Sequence, residues 1–325
     1  MTTLVTGAAG FIGSHVTELL LRENHRVRAL VRYNSRGDIG HLASIPRELR
    51  EKLDIRTGDI ADPFVVRDAV EGCDRVLHLA ALIGIPYSYV APSSYVATNV
   101  AGTLNILDAC RQAKVRRVIV TSTSEVYGTA MYSPIDEKHP LQGQSPYSAS
   151  KIGADKISES YFRSFDVPVV ILRPFNTYGP RQSARAVVPT ILVQALSGNR
   201  TIELGNRSPK RDLTFVTDTA RAFMLALEAP GIDGETIHFG QGKAWSVEEV
   251  ATTCLRIVGC NAEVVFDERR GRPEKSEVGL LLCDATKAHR LLGWKPEISF
   301  EKGLEMTAQY LTRHLTDYRP REYAI

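Results

Sequence analysis

The stretch that decides the fold is LVTGAAGFIG at residues 4–13. A short run of β-forming residues, Thr3–Thr6, leads into it, and a helical pattern follows its glycines. Glycines spaced GxxGxxG let a turn take positive φ and let the backbone approach a pyrophosphate at the N-terminus of the helix. The spacing differs from GxGxxG, and a tight βα turn without a ligand is the alternative interpretation. We interpret the turn as a dinucleotide site, with candidate contacts at Gly7, Gly10, Phe11 and Ile12.

Beyond this stretch, the first half of the chain alternates β-rich runs with helical patterns. The predicted strands are Thr3–Thr6, Val27–Val31, Leu53–Thr57, Arg75–Leu79, Arg117–Thr121 and Val167–Arg173. The predicted helices lie near Gly13–Glu23, Pro63–Val70, Thr98–Lys114 and Tyr147–Phe165. This alternation predicts an α/β fold, with a doubly wound parallel sheet of Rossmann type. Continuously apolar strands such as Val118–Val120 indicate that helices cover both faces of the sheet.

The pattern loosens after residue 173, where Gly, Pro, Asn and Arg become frequent. One further helix is predicted around Val188–Ser197. The stretch Phe215–Glu228 again shows a strand pattern followed by a helix pattern, as in the first half of the chain. We therefore predict two units: a dinucleotide-binding Rossmann domain and a smaller α/β substrate lobe. The domain spans 1–173, with 214–240 returning to it, and the lobe comprises 174–213 and 241–325.

The composition is that of an ordinary globular protein and narrows the range of partners. The chain has 325 residues, 43% of them hydrophobic and 24% charged, with a formal net charge of +3. That charge gives no reason to expect nucleic acid as a partner, and no apolar run approaches the roughly 20 residues of a membrane helix. Five scattered cysteines without a CxxC pair, and no signal-peptide pattern, favour a cytoplasmic protein. The eight histidines show no metal-ligand spacing, so no metal site is predicted.

The end of the second predicted strand bears on the choice of cofactor. In Rossmann folds an acidic residue there binds the ribose of NAD, whereas arginine suits the 2′-phosphate of NADP. The sequence LVRYNSRG at residues 30–37 has no carboxylate at this point. We therefore favour NADP, with NAD as the alternative and a merely solvated basic loop as the plainer interpretation. The candidate contacts are Arg32, Asn34, Ser35 and Arg36.

Residues after two further predicted strands are candidate cofactor contacts only because they follow the carboxyl ends of strands, where such folds bind ligands. After the third strand, Asp59 and Ile60 would flank the adenine. After the fourth strand, the turn formed by Leu79, Ala80 and Ala81 would lie along a ribose of the cofactor.

A second pattern lies at residues 147–151, where YSASK places a tyrosine and a lysine four residues apart. That spacing puts both side chains on one face of a helix. A tyrosine with its ordinary pKa of about 10 is a poor base at neutral pH, but a lysine cation and a nicotinamide charge would lower that pKa. Tyr147 is therefore a candidate acid/base for alcohol–ketone interconversion; a surface Tyr–Lys pair is the alternative. TSTSEVYG at 121–128 follows a predicted buried strand, at the sheet edge where such folds bind ligands.

Taken in order, TGAAGFIG, HLAA, STSEVYG, YSASK and RPFNTYGPR resemble the extended short-chain dehydrogenase/reductases, specifically their NDP-sugar epimerase/dehydratase branch. The resemblance spans essentially the whole chain. It implies that Thr123 orients a sugar hydroxyl, that Tyr147 is the base, and that Lys151 holds the nicotinamide ribose and tunes Tyr147. It also implies a homodimer, in which the helices near 98–114 and 147–165 pair with their counterparts in a four-helix bundle.

Within that branch, Glu125 favours a dehydratase. A 4-epimerase needs no acid/base group besides Thr123, Tyr147 and Lys151. This chain resembles the dehydratases in having Glu directly after Thr-Ser. In those enzymes that glutamate removes the C5 proton as water leaves C6. Many hexose 4,6-dehydratases have aspartate at the position of Ser124, so Glu125 or a water would have to protonate the leaving hydroxyl here. Thr-Ser-Glu also occurs in UDP-glucuronate decarboxylases, which stay an alternative together with 4-epimerases and a 5,6-elimination.

The longer strings SEVYGTA, PIDEKHPLQGQSPYSASKIGAD and RPEKSEV look most like the legionaminic-type dehydratases, which act on a nucleotide-linked N-acetylglucosamine. That resemblance points to UDP- or GDP-GlcNAc as substrate, bound beneath an apolar segment around Ile85. A regulatory dinucleotide-binding protein without catalysis is the non-enzymatic alternative. Arginine suits the diphosphate because it binds phosphate in a planar, bidentate manner. The candidate substrate contacts are Ile85, Asn176, Arg181, Arg185, Val188, Arg211 and Arg272.

Overall fold

The computed structural model describes residues 1–271 and 273–318. Its strands are β1 Thr2–Thr6, β2 Arg26–Val31, β3 Asp54–Thr57, β4 Arg75–His78, β5 Arg117–Thr121, β6 Val169–Pro174, β7 Asn176–Tyr178, β8 Thr201–Leu204, β9 Lys210–Phe215, β10 Thr236–Phe239, β11 Ala244–Ser246, β12 Glu263–Phe266 and β13 Leu280–Leu281. Its α-helices are α1 Phe11–Arg22, α2 Arg47–Arg50, α3 Pro63–Val70, α4 Ile85–Val90, α5 Pro92–Tyr95, α6 Gly102–Ala113, α7 Pro146–Phe165, α8 Val187–Leu196, α9 Val216–Glu228, α10 Val247–Val258, α11 Thr286–Leu292 and α12 Phe300–Arg313.

The main sheet has seven parallel strands in the order β3-β2-β1-β4-β5-β6-β10. Its order reverses between β1 and β4, and in doubly wound sheets ligands bind in the crevice outside the carboxyl ends of the strands at such a point. The inner strands are apolar throughout because helices cover both faces: Val118, Ile119 and Val120 are all fully buried. The predicted α/β Rossmann-type fold is confirmed.

Two helical layers flank this sheet. On one face, Val16 and Leu20 of α1 share a buried cluster with Phe223 of α9. On the other face, Val66 of α3 and Ile106 of α6 form a second cluster with the sheet. Both layers bury apolar side chains at helical spacing, and that burial positions the loops at the carboxyl edge.

The remainder forms a smaller layer beside that edge. β9 pairs with β7, β11 and β13, while β8 pairs with β12. Side chains from α8, α10 and α12 cover these strands around the fully buried Phe215. α9 and β10 lie with the main sheet, between segments of this smaller layer along the chain. The predicted division into domain and lobe stays a prediction.

Some predicted elements differ from the observed ones. β5 and α3 have the predicted bounds. The single helix predicted near Thr98–Lys114 instead begins with a π-helical segment, Val96–Ala101, followed by α6. None of the strands after β6 was predicted with bounds; β7 has three residues and β13 two, and strands this short show no alternation of their own.

The helix α7 carries the predicted Tyr147–Lys151 pair and is fixed at both ends. Ser145 caps its N-terminus in a capping box with Ser148, and Pro146 occupies the first turn. At its C-terminus Asp166 adopts a left-handed conformation with φ 54°. These signals place the start of the helix immediately before Tyr147.

A buried ion pair locks α7 to the sheet one turn beyond Lys151. The carboxylate Oδ2 of Asp155 accepts from Nη2 of Arg173 at 2.9 Å and from the hydroxyl of Ser122 at 2.7 Å. Both charged side chains are almost fully buried, 0% and 3% exposed. Asp155→Ala would leave the guanidinium of Arg173 buried without its partner, so we expect a loss of about 3–5 kcal/mol in the free energy of unfolding, measured by denaturant titration.

The control for this change is Glu159→Ala, which breaks the solvent-exposed pair with Lys156 on the same helix. Exposed pairs contribute about 0–1 kcal/mol. Equal losses in the two variants would show that the Asp155–Arg173 pair does not lock the helix.

Candidate active site

The glycine turn has the geometry of a dinucleotide cradle. Gly7 has φ +68°, and a Cβ there would lie 2.7 Å from the backbone nitrogen of Ala80. A Cβ on Gly13 would lie 2.2 Å from the carbonyl oxygen of Gly7, so α1 can pack against the turn only with glycine there. Gly10 is the N-cap of α1 and has no side-chain cap. The first N–H groups of α1, beginning with those of Phe11 and Ile12, therefore lie at the N-terminus of the helix, beside the carboxyl end of β1. Free N–H groups at a helix N-terminus favour a bound anion.

The structure brings the other positional cofactor candidates to the same edge. Leu79 N–H donates to the Thr6 carbonyl at 3.2 Å, which places the turn that continues through Ala80 and Ala81 directly against Gly7. After β3, Asp59 is partly exposed, while Ile60 is buried at 5% exposure. A contact from Ile60 to an adenine would therefore come from its backbone. The shape and the exposed amides fit a bound dinucleotide.

The loop after β2 forms a smaller basic cluster than the sequence predicts. The side-chain amide of Asn34 is used within the loop, where its oxygen accepts from the N–H of Asp38 at 2.9 Å and its nitrogen donates back to the carbonyl of Asp38 at 2.7 Å. Nε of Arg32 lies 3.7 Å from Oδ2 of Asp59, and the arginine side chain is 78% exposed. Arg36 and Ser35 are exposed beside it.

Tyr147, Thr123 and Lys151 meet at the carboxyl end of β5. Tyr147 and Thr123 share a hydrogen bond, and Lys151 donates from Nζ to the carbonyl of Thr121 at 2.6 Å. Burial raises the pKa of the Tyr147 phenol, and the Thr123 hydrogen bond opposes that rise. Burial lowers the pKa of Lys151, and Asp155 opposes that change. The expected lowering of the tyrosine pKa is therefore not a property of the protein alone, and would have to come from a bound positive charge.

Glu125 lies within the same cluster. It sits in a short 3-10 turn, Ser124–Tyr127, whose N-cap Thr123 accepts a hydrogen bond from the N–H of Glu125 at 3.2 Å. Its side chain is close enough for its negative charge to contribute to the raised pKa of Tyr147. Glu125 is 8% exposed and Ser124 is 1% exposed. A buried carboxyl group therefore lies within electrostatic range of the phenol, which is compatible with the dehydratase interpretation.

Three predicted substrate residues lie in the smaller layer. Arg211 on β9 is 8% exposed; it donates from Nη1 to the carbonyl of Val278 at 2.7 Å and lies 3.5 Å from Glu277. Asn176 begins β7, and its buried Oδ1 has no hydrogen-bond partner among the described residues. Val188 is 1% exposed within the apolar cluster of α8, so any substrate contact would come from its backbone.

The remaining arginine candidates are placed differently from one another. Arg185 is exposed, and its Nη1 lies 3.2 Å from where a Cβ of Gly84 would be. Arg181 is buried against α1, where it donates to Glu18 at 2.6 Å. A phosphate contact by Arg181 would require breaking that pair. Arg272 lies outside the described residues.

Two buried residues beside the site were missed by sequence reasoning. Tyr95 packs edge-on against Tyr147, with ring centroids 6.2 Å apart, in a cluster that includes Ile85. Asn99, in the π-helical segment, binds both the N–H and the carbonyl of Leu82 at 2.8 and 2.9 Å. Neither position has a spacing signal, because both fall in a stretch where helix type changes within a few residues.

The described parts of the chain bear on two further expectations. Among residues 1–271 and 273–318, no three His, Cys, Asp or Glu side chains are grouped so that they could hold a metal ion. Over the same ranges, none of the helices combines the length and apolarity needed to cross a membrane.

The fold and site define a nicotinamide-type Rossmann enzyme, and the comparisons with known proteins agree. The GDP-mannose 4,6-dehydratase family model matches residues 4–307. The low-salt glycan biosynthesis protein Agl12 of Haloferax volcanii is 34% identical over 316 residues, which cover 95% of this chain and 98% of the relative. The UDP-glucose 4-epimerase of Mycolicibacterium smegmatis is 34% identical over 315 residues, with 95% and 98% coverage.

A solved structure agrees over nearly the whole length. The dTDP-glucose 4,6-dehydratase of Streptomyces venezuelae, solved with NAD and TYD bound, superposes with a TM-score of 0.89 at 31% identity, covering 99% of this chain and 100% of that chain. This protein belongs to the GDP-mannose 4,6-dehydratase family, the NDP-sugar dehydratase/epimerase branch of the extended short-chain dehydrogenase/reductases. The predicted family is therefore confirmed, and the predicted legionaminic-type specificity stays a prediction.

Proposed function

We propose that this protein is an NDP-sugar 4,6-dehydratase acting on a nucleotide-linked N-acetylglucosamine, UDP- or GDP-GlcNAc. The observation that carries this proposal is the buried carboxylate of Glu125, which stands close enough to Tyr147 to perturb its pKa. A dehydratase needs a base for C5 in addition to the residues that act at C4. The sugar is proposed from the resemblance to legionaminic-type enzymes.

The first step would use Thr123 and Tyr147. Thr123, already hydrogen-bonded to the phenol, would orient the sugar's 4-hydroxyl, and the phenolate of Tyr147 would take its proton. A bound nicotinamide would supply the redox chemistry, accepting hydrogen from C4 and returning it later to C6. Lys151 would hold the ribose of that cofactor from its place beside Thr121.

The second step would use Glu125. A ketone at C4 acidifies the proton on C5, and Glu125 would remove that proton. The same carboxyl group, now protonated, would then deliver a proton to the hydroxyl that leaves C6, because the Ser124 hydroxyl is a weak acid. One side chain would thus serve as base and then as acid.

The nucleotide end would be bound by the smaller layer. Arg211 would bind phosphate through its guanidinium in exchange for its contact with Glu277. Asn176 begins the adjacent strand β7, and its buried Oδ1 has no hydrogen-bond partner among the described residues. At the sugar end, Ile85 of α4 packs beside Tyr147. The apolar character of that segment suits the methyl group of an N-acetyl substituent.

The experiment that tests the proposal is incubation of the purified protein with UDP-GlcNAc, GDP-GlcNAc and UDP-glucuronate, followed by mass spectrometry. We expect loss of one water from an N-acetylglucosamine nucleotide. Loss of carbon dioxide from UDP-glucuronate would establish the decarboxylase instead. No change with any substrate, despite bound cofactor, would support a regulatory role.

A 4-epimerase is the second candidate, because the M. smegmatis UDP-glucose 4-epimerase is as similar to this chain as Agl12. An epimerase would give a product of unchanged mass but inverted configuration at C4. Chromatographic separation of the isomers distinguishes this outcome from no reaction.

The choice between NADP and NAD rests on the loop after β2. Arg32 and Arg36 support NADP, whereas the bound NAD of the S. venezuelae relative supports NAD. If Arg32 binds a 2′-phosphate, Arg32→Gln should weaken NADP binding by about tenfold to a hundredfold, because hydrogen bonds to charged groups contribute about 1.5–3 kcal/mol. The same change should affect NAD binding much less, because NAD has no 2′-phosphate. Both affinities can be measured by fluorescence titration of cofactor-stripped protein.

The control is Arg47→Gln, which changes an exposed arginine on α2 that pairs with Glu51. Release of NAD alone from the denatured purified protein, together with equal cofactor affinities for the Arg32 variant and the parent protein, would show the NADP prediction to be wrong.

A further inference from the structure

A hydrogen-bonded bridge joins α4 to the smaller layer beside the candidate active site. The hydroxyl of Tyr89 lies 2.6 Å from the hydroxyl of Ser276, which donates to the main-chain carbonyl of Gln144 at 2.7 Å. Because Ser276 has one proton and gives it to that carbonyl, Tyr89 is the donor to Ser276. We call these three groups, the Tyr89 hydroxyl, the Ser276 hydroxyl and the Gln144 carbonyl, the Ser276 bridge.

The ends of the bridge show where it lies relative to the catalytic candidates. Gln144 immediately precedes Ser145, the N-cap of the helix that carries Tyr147. At the other end, Ile85 in the first turn of α4 packs in one cluster with Tyr147. The contacts therefore form a closed loop: α4 contacts Tyr147 through Ile85, and it contacts the segment just before the Tyr147 helix through the Ser276 bridge.

The same segment also reaches the diphosphate candidate. Glu277, the next residue after Ser276, lies 3.5 Å from Nη2 of Arg211. Arg211 also donates to the carbonyl of Val278. The bridge is thus linked, through the residues next to it in the chain, to the residue proposed to bind phosphate and to the helix that carries the residue proposed to act at C4.

The bridge joins a buried hydroxyl to one on a partly exposed side chain. Ser276 is 8% exposed, whereas Tyr89 is 37% exposed and lies on a helix of six residues. At the start of that helix, Nη1 of Arg185 lies beside Gly84. Residues of the smaller layer therefore lie near both ends of α4, and the hydroxyl of Tyr89 is the group that binds Ser276.

We propose that the Ser276 bridge retains the ketosugar between oxidation at C4 and the return of hydrogen, with Tyr89 and Ser276 as positioning residues for that interval. The proposal rests on the proposed redox cycle. In that cycle the C4 hydrogen leaves with its electron pair for the bound nicotinamide, and the O4 proton passes to the phenolate of Tyr147. A ketosugar that escapes at this stage leaves the enzyme with a reduced cofactor and no acceptor, so turnover stops.

The test compares Tyr89→Phe, Ser276→Ala and the double variant with the parent protein in separate reactions with UDP-GlcNAc and with GDP-GlcNAc. Two quantities are followed: the absorbance of reduced nicotinamide on the enzyme, and the 4-ketosugar in the filtrate that has lost two hydrogens but no water. We expect each single variant to raise ketosugar escape per turnover by about fivefold, the value that corresponds to one net hydrogen bond. The double variant should leak no more than Ser276→Ala, because that change already removes the acceptor of Tyr89.

The control is Tyr132→Phe, which removes a tyrosine hydroxyl that donates to Asp136 elsewhere on the surface; its escape ratio should equal that of the parent protein. A general loss of structure would lower turnover without raising the ratio of escaped ketosugar to product. Unchanged ratios in Tyr89→Phe and Ser276→Ala, with turnover still measurable, would overturn the retention role alone. No reduced cofactor and no mass change in the parent protein with either nucleotide sugar would instead overturn the proposed function, and the retention role with it.

Discussion

Glu125→Gln is expected to lower the rate of water loss from the nucleotide sugar by about 10²–10⁴-fold, the usual contribution of a positioned acid/base. Glutamine keeps the size of the side chain but cannot take the C5 proton. Oxidation at C4 depends on Thr123 and Tyr147, so it should continue and leave the 4-ketosugar on the enzyme. Mass spectrometry of the quenched reaction measures both the missing product and the accumulated ketone.

Solvent exchange gives an independent measurement of the same role. In deuterium oxide the parent protein should place deuterium at C5, whereas Glu125→Gln should not. The control is Glu51→Gln, which changes an exposed glutamate and should leave exchange and dehydration at parental rates. Retained water loss by Glu125→Gln would remove this carboxylate from the mechanism.

Tyr147→Phe is expected to lower turnover by about 10²–10⁴-fold by removing the group that takes the proton from O4. Burial raises the pKa of this phenol in the protein alone, and a bound nicotinamide charge should lower it; in either case the fraction of phenolate increases as pH rises. The rate of the parent protein should therefore rise with pH across the neutral range, and the residual rate of the variant should lose that rise. Initial rates measured in a series of buffers check both the size of the loss and its pH dependence.

Tyr95→Phe is the matched control for this change. It also removes one phenolic hydroxyl, from a ring packed against Tyr147. That hydroxyl donates to the carbonyl of Gly84, so its loss should affect the loop, whereas the rise of the rate with pH, which depends on Tyr147, should remain. A similar pH profile in the parent protein and in Tyr147→Phe would contradict the assignment of Tyr147 as the base.

The main sheet could be predicted from the sequence because its signals are local. Apolar strands such as β5, a glycine turn and a well-capped helix each leave a pattern within about ten residues. Those patterns also place Gly7, Thr123 and Tyr147 at one edge, since parallel strands all end on the same side. The β7–β9–β11–β13 layer lacked such signals, because β7, β11 and β13 have only two or three residues and all four strands pair across large separations in the chain.

The direction in which individual side chains point could not be predicted from the sequence. Arg181 follows Gly-Pro in a loop and could face either layer; its backbone, at φ 68°, turns the guanidinium toward Glu18 of α1. Val188 belongs to a helix whose apolar residues face more than one side, and only the packing of α8 shows that its side chain is buried. The bond between Tyr89 and Ser276 joins residues that are 187 positions apart, beyond the reach of any local pattern.

The place of β10 has a consequence for how the chain can fold during synthesis. β10 is the seventh strand of the main sheet and pairs with β6, but the segment from β7 to β9 comes between them in the chain. Until residues 236–239 have left the ribosome, the edge of β6 has no partner strand, and such open edges invite pairing with other chains. The Rossmann layer of a nascent chain is therefore complete only after part of the neighbouring layer has already been made, and a fragment ending at residue 173 would present that bare edge permanently.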